Sequence, residues 1–447
     1  MLQQCGWYNF VDALQTALLQ AKDEGKDISS VEEEVRAANL SYSFTREEDT
    51  KVRELLVKID ALPTLPDYPY DEPSDLDGIH RLQSPEMVKQ RNLSLGRDEL
   101  FDKIYGAWLG RISGCSLGKP VENWNMENIR LLAEKGNNYP MTDFIDGLVE
   151  MGDDFAKSLE NRSRNWFKHK LNGSAPSDDD TNYTVLALKL VENYGRDFTS
   201  YDMAEMWLSH LPVISVCTAE LAGYRNILNH ILPPESGSYC NPYKEWIGAQ
   251  IRGDYFGYIN PGDPFAAADM AYRDACMTHI KNGIYGEMMI AGMIAQAAVA
   301  DDINEIINAG LAVIPHTSRL YEEISRVVSW HKEGVDYWEA VDRIRKKYPQ
   351  QFRHHAVHTI PNAMFVAIAF LYGEKDFTKT ISYAVVPGYD TDCNGATAGS
   401  IIGIMLGANR IDKKWYECFN DTLNTDISGY NKVKITDMAK QTIKHIK

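Results

Sequence analysis

Two short acidic segments are the parts of this sequence whose residue types and spacing could do chemistry. In DTDCNG, Asp390 and Asp392 stand two residues apart, and in SAPSDDDTNY three aspartates follow one another at 178–180. Carboxylate oxygens are the ligands that Mg²⁺, Mn²⁺ and Ca²⁺ prefer, and adjacent like charges repel unless a cation lies among them. The spacing alone leaves two interpretations open: a metal site, or solvated carboxylates that stabilise the starts of helices.

Two narrower interpretations of these segments come from known motifs. DTDCNG fits the first half of an EF-hand calcium loop, but the twelfth loop position, which should be a bidentate glutamate, is Ile401. A calcium-binding module is therefore disfavoured. In the other segment, Ser177 and Asp180 have the spacing of a capping box, which predicts Ser177 as the N-cap of the helix that follows.

Glycines at every fourth position mark two helices beside the acidic segments. They lie at 106, 110, 114 and 118 in GAWLGRISGCSLG, and at 395, 399, 403 and 407 in GATAGSIIGIMLG. This spacing puts the glycines on one helix face, and each costs ~1 kcal/mol relative to alanine inside a helix. The pattern predicts two central helices in close backbone contact. Just past the first helix, Glu122 in GKPVENW could be a ligand or a general base, or an exposed loop carboxylate.

The rest of the chain predicts an all-α protein. Apolar residues recur at helical spacing in NFVDALQTALLQAK and KVRELLVKIDAL, so residues 1–62 are expected to form a helical extension outside the catalytic cleft. Residues 63–96 begin with PTLPDYPYDEPSDLDG, whose prolines and acidic residues predict a linker. Residues 97–447 show one helical pattern after another, which predicts a single helical domain.

The composition argues against several classes of partner. The formal net charge of −17 disfavours nucleic acid, which needs clustered lysines and arginines. The most apolar runs fall short of the ~20 residues that a spanning helix needs, so no membrane partner is expected. Seven cysteines without a CxxC pair, and a start that lacks the pattern of a signal peptide, predict a reducing, cytoplasmic location.

Three segments together resemble the signatures of the ADP-ribosylglycohydrolases, of the type of the dinitrogenase reductase-activating glycohydrolase. They are DKIYGAWLGRISGCSLGKPVE, SDDDTNYTVLAL and GYDTDCNGATAGSIIGIMLGA, and their order and separation also match. The resemblance covers about residues 98–415. It implies a compact, orthogonal bundle of many helices with two divalent cations, Mg²⁺ or Mn²⁺, at the bottom of a cleft. It also implies cleavage of the glycosidic bond between ADP-ribose and a side chain or another acceptor.

The resemblance carries over residue by residue, with three departures. Asp178 stands where the family has serine or threonine, Cys393 where it has a hydroxyl ligand, and Cys115 where it often has aspartate. Glu122 matches the family's loop glutamate, and Glu122 and Asp179 are the expected catalytic residues. The expected metal ligands are Asp178, Asp179, Asp180, Asp390, Asp392 and Cys393.

The resulting hypothesis is a divalent-metal-dependent hydrolase that cleaves an N- or O-glycosidic ribosyl bond. Its partner would be an ADP-ribosylated protein or a small molecule similar to ADP-ribose, and the oligomeric state stays open. The alternative is a catalytically silent binding or structural protein on the same fold, which Cys115 and Cys393 favour. His279 and Tyr389 are weaker candidates, the first more in keeping with a structural role and the second with stacking on a sugar or with packing.

Overall fold

The computed structural model describes residues 10–38, 46–89, 91, 95–146, 166–171 and 173–447. Over these residues the chain is mainly helical, with one small antiparallel sheet in which β1 (Thr422–Asn424) pairs with β2 (Lys432–Lys434). The prediction of an all-α fold is confirmed. In the described part of the chain, every helix is too short or too polar to cross a lipid bilayer.

The α-helices are numbered here in chain order. Those of the N-terminal part are α1 (Phe10–Asp23), α2 (Ser29–Ala37), α3 (Arg46–Asp60) and α4 (Leu76–Arg81). The others are α5 (Arg97–Gly118), α6 (Met126–Lys135), α7 (Asp179–Tyr194), α8 (Ser200–His210), α9 (Thr218–Leu228), α10 (Glu235–Ser238), α11 (Asp254–Tyr258), α12 (Pro264–Ala275), α13 (Lys281–Ala297), α14 (Ile303–Ala312), α15 (Arg319–Lys332), α16 (Tyr337–Lys347), α17 (Arg353–Val357), α18 (Thr359–Tyr372), α19 (Phe377–Val385), α20 (Thr391–Leu406) and α21 (Ile435–Lys444).

Helices α5 and α20 run antiparallel through the centre with their glycine faces in contact. A methyl carbon built on Gly110 would lie less than 3.0 Å from the carbonyl oxygen of Gly399, and the same holds for Gly114 against Gly395. The predicted contact of the two glycine-striped helices is therefore confirmed. Because the helices are antiparallel, the last turn of α5 lies beside the first turn of α20, where the Thr391 hydroxyl donates to the Gly118 carbonyl at 2.8 Å.

The helices α1, α2 and α3 share a small apolar core built from residues such as Leu14, Val31 and Leu55, to which Cys240 of the main domain also belongs. Charged groups fasten this unit to the main helical domain. Glu24 at the end of α1 is buried between the ammonium groups of Lys244, at 3.4 Å, and Lys281, at 3.2 Å. The described residues that line the large cleft begin at Lys119, so none of the described residues of the extension reaches it.

The acidic, proline-rich stretch after α3 lies against the helical domain. Glu72 is buried there and accepts from the Arg319 guanidinium at 2.9 Å, and the same guanidinium binds Glu245 at 2.8 Å. Tyr285 also donates from its hydroxyl to the carbonyl of Pro73. This stretch is thus held in place by buried contacts, while the division of the chain at residues 62 and 96 stays a prediction.

The glycine contact gives a first prediction. Gly399→Ala should destabilise the protein by ~1–3 kcal/mol or more, because the added methyl group meets backbone atoms of Gly110 that have no room to move. Gly96→Ala is the control, since a methyl group there meets nothing within 4 Å. Equal thermal unfolding of Gly399→Ala and the wild type would rule out the close contact.

The buried arginine gives a second prediction. Arg319→Met should lower the free energy of unfolding by ~3–5 kcal/mol, because Glu72 and Glu245 would be left as buried charges without their cation. Arg36→Met removes an exposed pair with Glu32 on α2, and should cost ~0.5 kcal/mol or less. Urea denaturation of both variants checks this, and similar midpoints would contradict it.

Candidate functional site

The three acidic elements singled out in the sequence meet at the bottom of one cleft of about 830 Å³. The crossing of α5 and α20 brings the turn after α5 to the start of α20, and α7 begins beside both. The predicted site residues that line this cleft are Glu122, Asp178, Asp179, Asp390, Asp392 and Cys393. Asp180, the remaining one, is fully buried underneath them.

The start of α7 differs by one residue from the predicted capping box. The N-cap is Asp178 and not Ser177, because Asp178 has the extended backbone conformation and its side chain accepts from the Asp180 amide at 3.2 Å. This register points Asp180 into the protein and leaves Asp179 at the cleft. Burial, followed by the charge of Asp178, raises the pKa of Asp179 well above its usual value.

Arg111 of α5 holds Asp180 from below and was not anticipated from the sequence. Its guanidinium donates to the Asp180 carbonyl at 2.7 Å and pairs with Oδ1 of the same residue at 3.1 Å. It also pairs with Asp254 at 2.9 Å. Burial still raises the pKa of Asp180 well above its usual value, against the effect of Arg111. The available signal was an arginine within the otherwise uncharged, glycine-striped second half of α5.

At the start of α20, the side chain of Asp390 does not act as a helix cap. Asp390 occupies the N-cap position, yet its side chain makes no capping hydrogen bond. Asp390 and Asp392 are both buried, with 7 % and 1 % exposure. Burial and then the neighbouring Asp392 raise the pKa of Asp390 well above its usual value. Both side chains therefore belong to the carboxylate cluster at the bottom of the cleft.

Lys119, in the turn directly after α5, is the second residue that the sequence reasoning missed. Its ammonium group lies 2.7 Å from Glu122, 3.0 Å from Asp178 and 2.7 Å from Asp392. The side chain is 17 % exposed. Burial acts to raise the pKa of Asp178, but the charge of Lys119 together with hydrogen bonds from Lys119 and the Asp180 amide brings this pKa below its usual value. For Glu122, burial and next the charge of Asp392 raise the pKa to about 7, with Lys119 acting in the opposite direction.

The cluster has the groups to hold a divalent cation. One oxygen of Asp180, Oδ2, and one of Asp392, Oδ1, are buried without a hydrogen-bond partner among the described residues. Asp180, Asp392 and Cys393 each offer one ligand atom within 4.8 Å of the others, and so do Glu122, Asp390 and Asp392. Unpaired buried carboxylate oxygens are costly, and a hard cation satisfies them. The acidic residues present therefore fit a divalent cation.

The cysteine in this cluster fits less well than the carboxylates. Burial, and then the charge of Asp180, raise the pKa of the Cys393 thiol well above its usual value, so the thiol stays protonated at neutral pH. A protonated thiol is a poor ligand for a hard cation. The Cys115 thiol likewise has a raised pKa through burial, and donates to Asp178 at 3.6 Å.

The walls of the cleft are more apolar than its bottom. Trp166 and Trp246 line it together with the aliphatic side chains of Ile214 and Val216. Polar groups such as Gln350 are interspersed among them. Aromatic and aliphatic walls above a charged base are the usual construction of a small-molecule site, so the cleft can take a ligand with a flat ring and a polar end.

A second cluster of potential metal ligands, Asp23 with His354 and His358, lies at the extension. The His354 Nδ1 accepts from the Trp246 indole at 3.1 Å, so its Nε2 carries the proton that it donates to Asp23 at 2.9 Å. The His358 Nδ1 accepts from the amide of Ile360 at 3.1 Å, so its Nε2 is also protonated. A protonated nitrogen has no lone pair for a metal. This cluster therefore ties α1 to α17 through the hydrogen bond between His354 and Asp23.

The two weaker candidates lie outside the cleft wall. His279 is buried, with its Nδ1 2.7 Å from the Thr278 hydroxyl, and burial holds its pKa well below the usual value. Tyr389 is fully buried, donates to the Tyr348 carbonyl, and packs its ring against Phe365 with centroids 4.6 Å apart. Both side chains have structural contacts that account for them.

A family model described as ADP-ribosylglycohydrolase matches residues 96–445, which is most of the chain. The chain belongs to the ADP-ribosylglycohydrolase family. A solved structure titled "ADP-ribosylglycohydrolase-related protein complex" is similar at 19 % identity with a TM-score of 0.49, over 78 % of this chain and 98 % of that one. No curated protein matches. Membership of the ADP-ribosylglycohydrolases supports a glycosyl-hydrolase type of role for the cleft.

Proposed function

We propose that this chain is a divalent-metal-dependent hydrolase that cleaves the N- or O-glycosidic bond of an ADP-ribosyl group, on a protein side chain or a small acceptor. The observation that carries the proposal is the pair of buried carboxylate oxygens without partners, on Asp180 and Asp392, at the bottom of the cleft of an ADP-ribosylglycohydrolase. Because the carboxylates offer only oxygen atoms as ligands, the cluster favours Mg²⁺, with Mn²⁺ as the alternative.

The residues that would hold a cation are Asp180 and Asp392, which share one group of potential ligand atoms, and Asp390, which shares a second group with Asp392 and Glu122. Asp179 lines the cleft beside them. A divalent cation bound there would bind ribose hydroxyls and stabilise negative charge. Cys393 lies within reach, but its protonated thiol leaves the coordination to oxygen. Asp178 supports the cluster by pairing with Lys119.

Glu122 is the proposed general base. Its pKa of about 7 suits proton transfer at neutral pH, and its side chain lines the cleft. The oxygen of a water molecule would form a bond to the anomeric carbon while the glycosidic bond breaks, and Glu122 would take the proton from that water. The surrounding carboxylates would stabilise the positive charge that develops on the sugar in such a transition state.

Asp179 is the proposed general acid. Its raised pKa favours the protonated form of the carboxyl group, and it faces the cleft, so it can give a proton to the leaving nitrogen or oxygen of the acceptor. The proton that Glu122 removes from water and the proton that Asp179 donates balance over one turnover. The start of α9 also lines the cleft, and its N-cap, Cys217, makes no side-chain capping bond, so this helix start is the proposed place for a diphosphate.

The alternative, a silent protein that binds ADP-ribose-like ligands without cleaving them, is favoured by one observation. The hydroxyl ligand of the family is replaced by the thiol of Cys393, which is buried and protonated. A measurement of turnover separates the two functions, because the silent protein would bind the ligand and leave the glycosidic bond intact.

The metal part of the proposal predicts the behaviour of Asp392→Asn. Titration with Mg²⁺ or Mn²⁺ in a calorimeter should show binding to the wild type and weakening by ~100-fold or more in the variant, since a direct ligand is lost. The thermal stability of the metal-free variant should equal or exceed that of the wild type, because one of several crowded carboxylates is removed. Asp426→Asn, a carboxylate of the cleft outside the cluster, is the control. Equal affinity in wild type and Asp392→Asn would exclude this metal site.

The catalytic part predicts the behaviour of Glu122→Gln. Release of ADP-ribose from ADP-ribosylated arginine or serine should fall by ~10²–10⁴-fold, the usual contribution of a general base. Divalent-cation affinity should change by only a few-fold. Glu127→Gln, at an exposed carboxylate paired with Arg345, should keep full activity. A folded, ligand-binding wild type without turnover on any ADP-ribosylated substrate would support the silent alternative.

A further inference from the structure

The ammonium group of Lys119 lies inside the carboxylate cluster. It pairs with Glu122, Asp178 and Asp392 at 2.7–3.0 Å. The backbone fixes its place, because Lys119 opens the short turn Lys119–Val121 directly after α5, where Gly118 touches Thr391. An ammonium group is a compact point charge with three donors, so three carboxylates match its bonding capacity.

The two carboxylate oxygens of Asp392 lie in different environments. Oδ2 accepts from Lys119 at 2.7 Å, while Oδ1 has no partner among the described residues. Asp392 also belongs to two groups of ligand atoms, one with Glu122 and Asp390, the other with Asp180 and Cys393. Lys119 pairs with two members of the first group. The described ion pairs include none between Lys119 and Asp180, whose Oδ2 is free.

Asp178 is fully occupied by contacts within the protein. Its Oδ2 pairs with Lys119 at 3.0 Å, and its Oδ1 accepts from the Asp180 amide at 3.2 Å and from the Cys115 thiol. Asp178 adds a negative charge where the family pattern has a neutral hydroxyl, and Lys119 adds the matching positive charge beside it. The two residues therefore form one charge-balanced unit in the cluster.

We propose that Lys119 permanently takes the place of one of two cations, so that this chain binds a single divalent cation, held by the group that contains Asp180 and Asp392. The inference rests on the proposed metal-dependent function and adds the number of ions to it. A second divalent cation at the Glu122 group would have to share Asp392 and Glu122 with the Lys119 ammonium group, which already pairs with both. The cation and the ammonium group carry like charges and would repel each other.

The test is the number of Mn²⁺ ions bound per full-length chain, measured by calorimetry and by the loss of the free Mn²⁺ signal in electron paramagnetic resonance. The wild type should bind one ion, and Lys119→Met should bind two. Lys119→Arg keeps the charge and should bind one. Lys135→Met, at an exposed lysine at the end of α6, should also bind one.

A double variant covers the case in which Lys119→Met does not fold because its carboxylates lose their counter-ion. Lys119→Met with Asp178→Ser removes both members of the pair, keeps the net charge, and restores the hydroxyl of the family pattern. It should bind two ions. A wild type with two ions, or a folded Lys119→Met or Lys119→Met/Asp178→Ser variant that still binds one, would overturn the inference and leave the proposed metal dependence standing. A wild type with no ion would overturn the proposed metal dependence as well.

Discussion

The contact between the glycine faces of α5 and α20 is the constraint on which the site depends. Because neither helix carries a side chain at the contact, the backbones approach closely, and the antiparallel direction places the end of one helix beside the start of the other. Glu122 and Lys119 follow that end, while Asp390 and Asp392 occupy that start. Larger side chains at the contact would move the two helices apart, and the carboxylates would no longer lie close to one another.

The negative charges of the site are balanced in part by residues from the same central helix and its following turn. Arg111 pairs with Asp180 and Asp254 inside the core, and Lys119 pairs with carboxylates at the surface of the cleft. Taking so many carboxylates out of water is unfavourable, and it raises the pKa values of Asp179, Asp180 and Asp390. The remaining free oxygens are the part of this imbalance that an added cation would relieve.

The N-terminal extension contributes to the cleft indirectly. Helix α17 supplies Ala356 and Val357 to the cleft wall, and from the same turn His354 donates to Asp23 of α1. The stretch after α3 is fastened through Glu72 to Arg319 at the start of α15. Buried ionic groups thus attach the extension to the domain and support one wall of the cleft from behind.

The sequence by itself determined the helical class, the glycine contact and the set of carboxylates, because these follow from residue type and from spacing within one element. It also identified the family through segments that are contiguous in the chain. It did not predict the shift of the N-cap from Ser177 to Asp178. Only the tertiary structure decided the roles of Arg111 and Lys119, since their partners lie on segments far away in the chain, and no spacing within an element specifies which distant carboxylates a buried cation will meet.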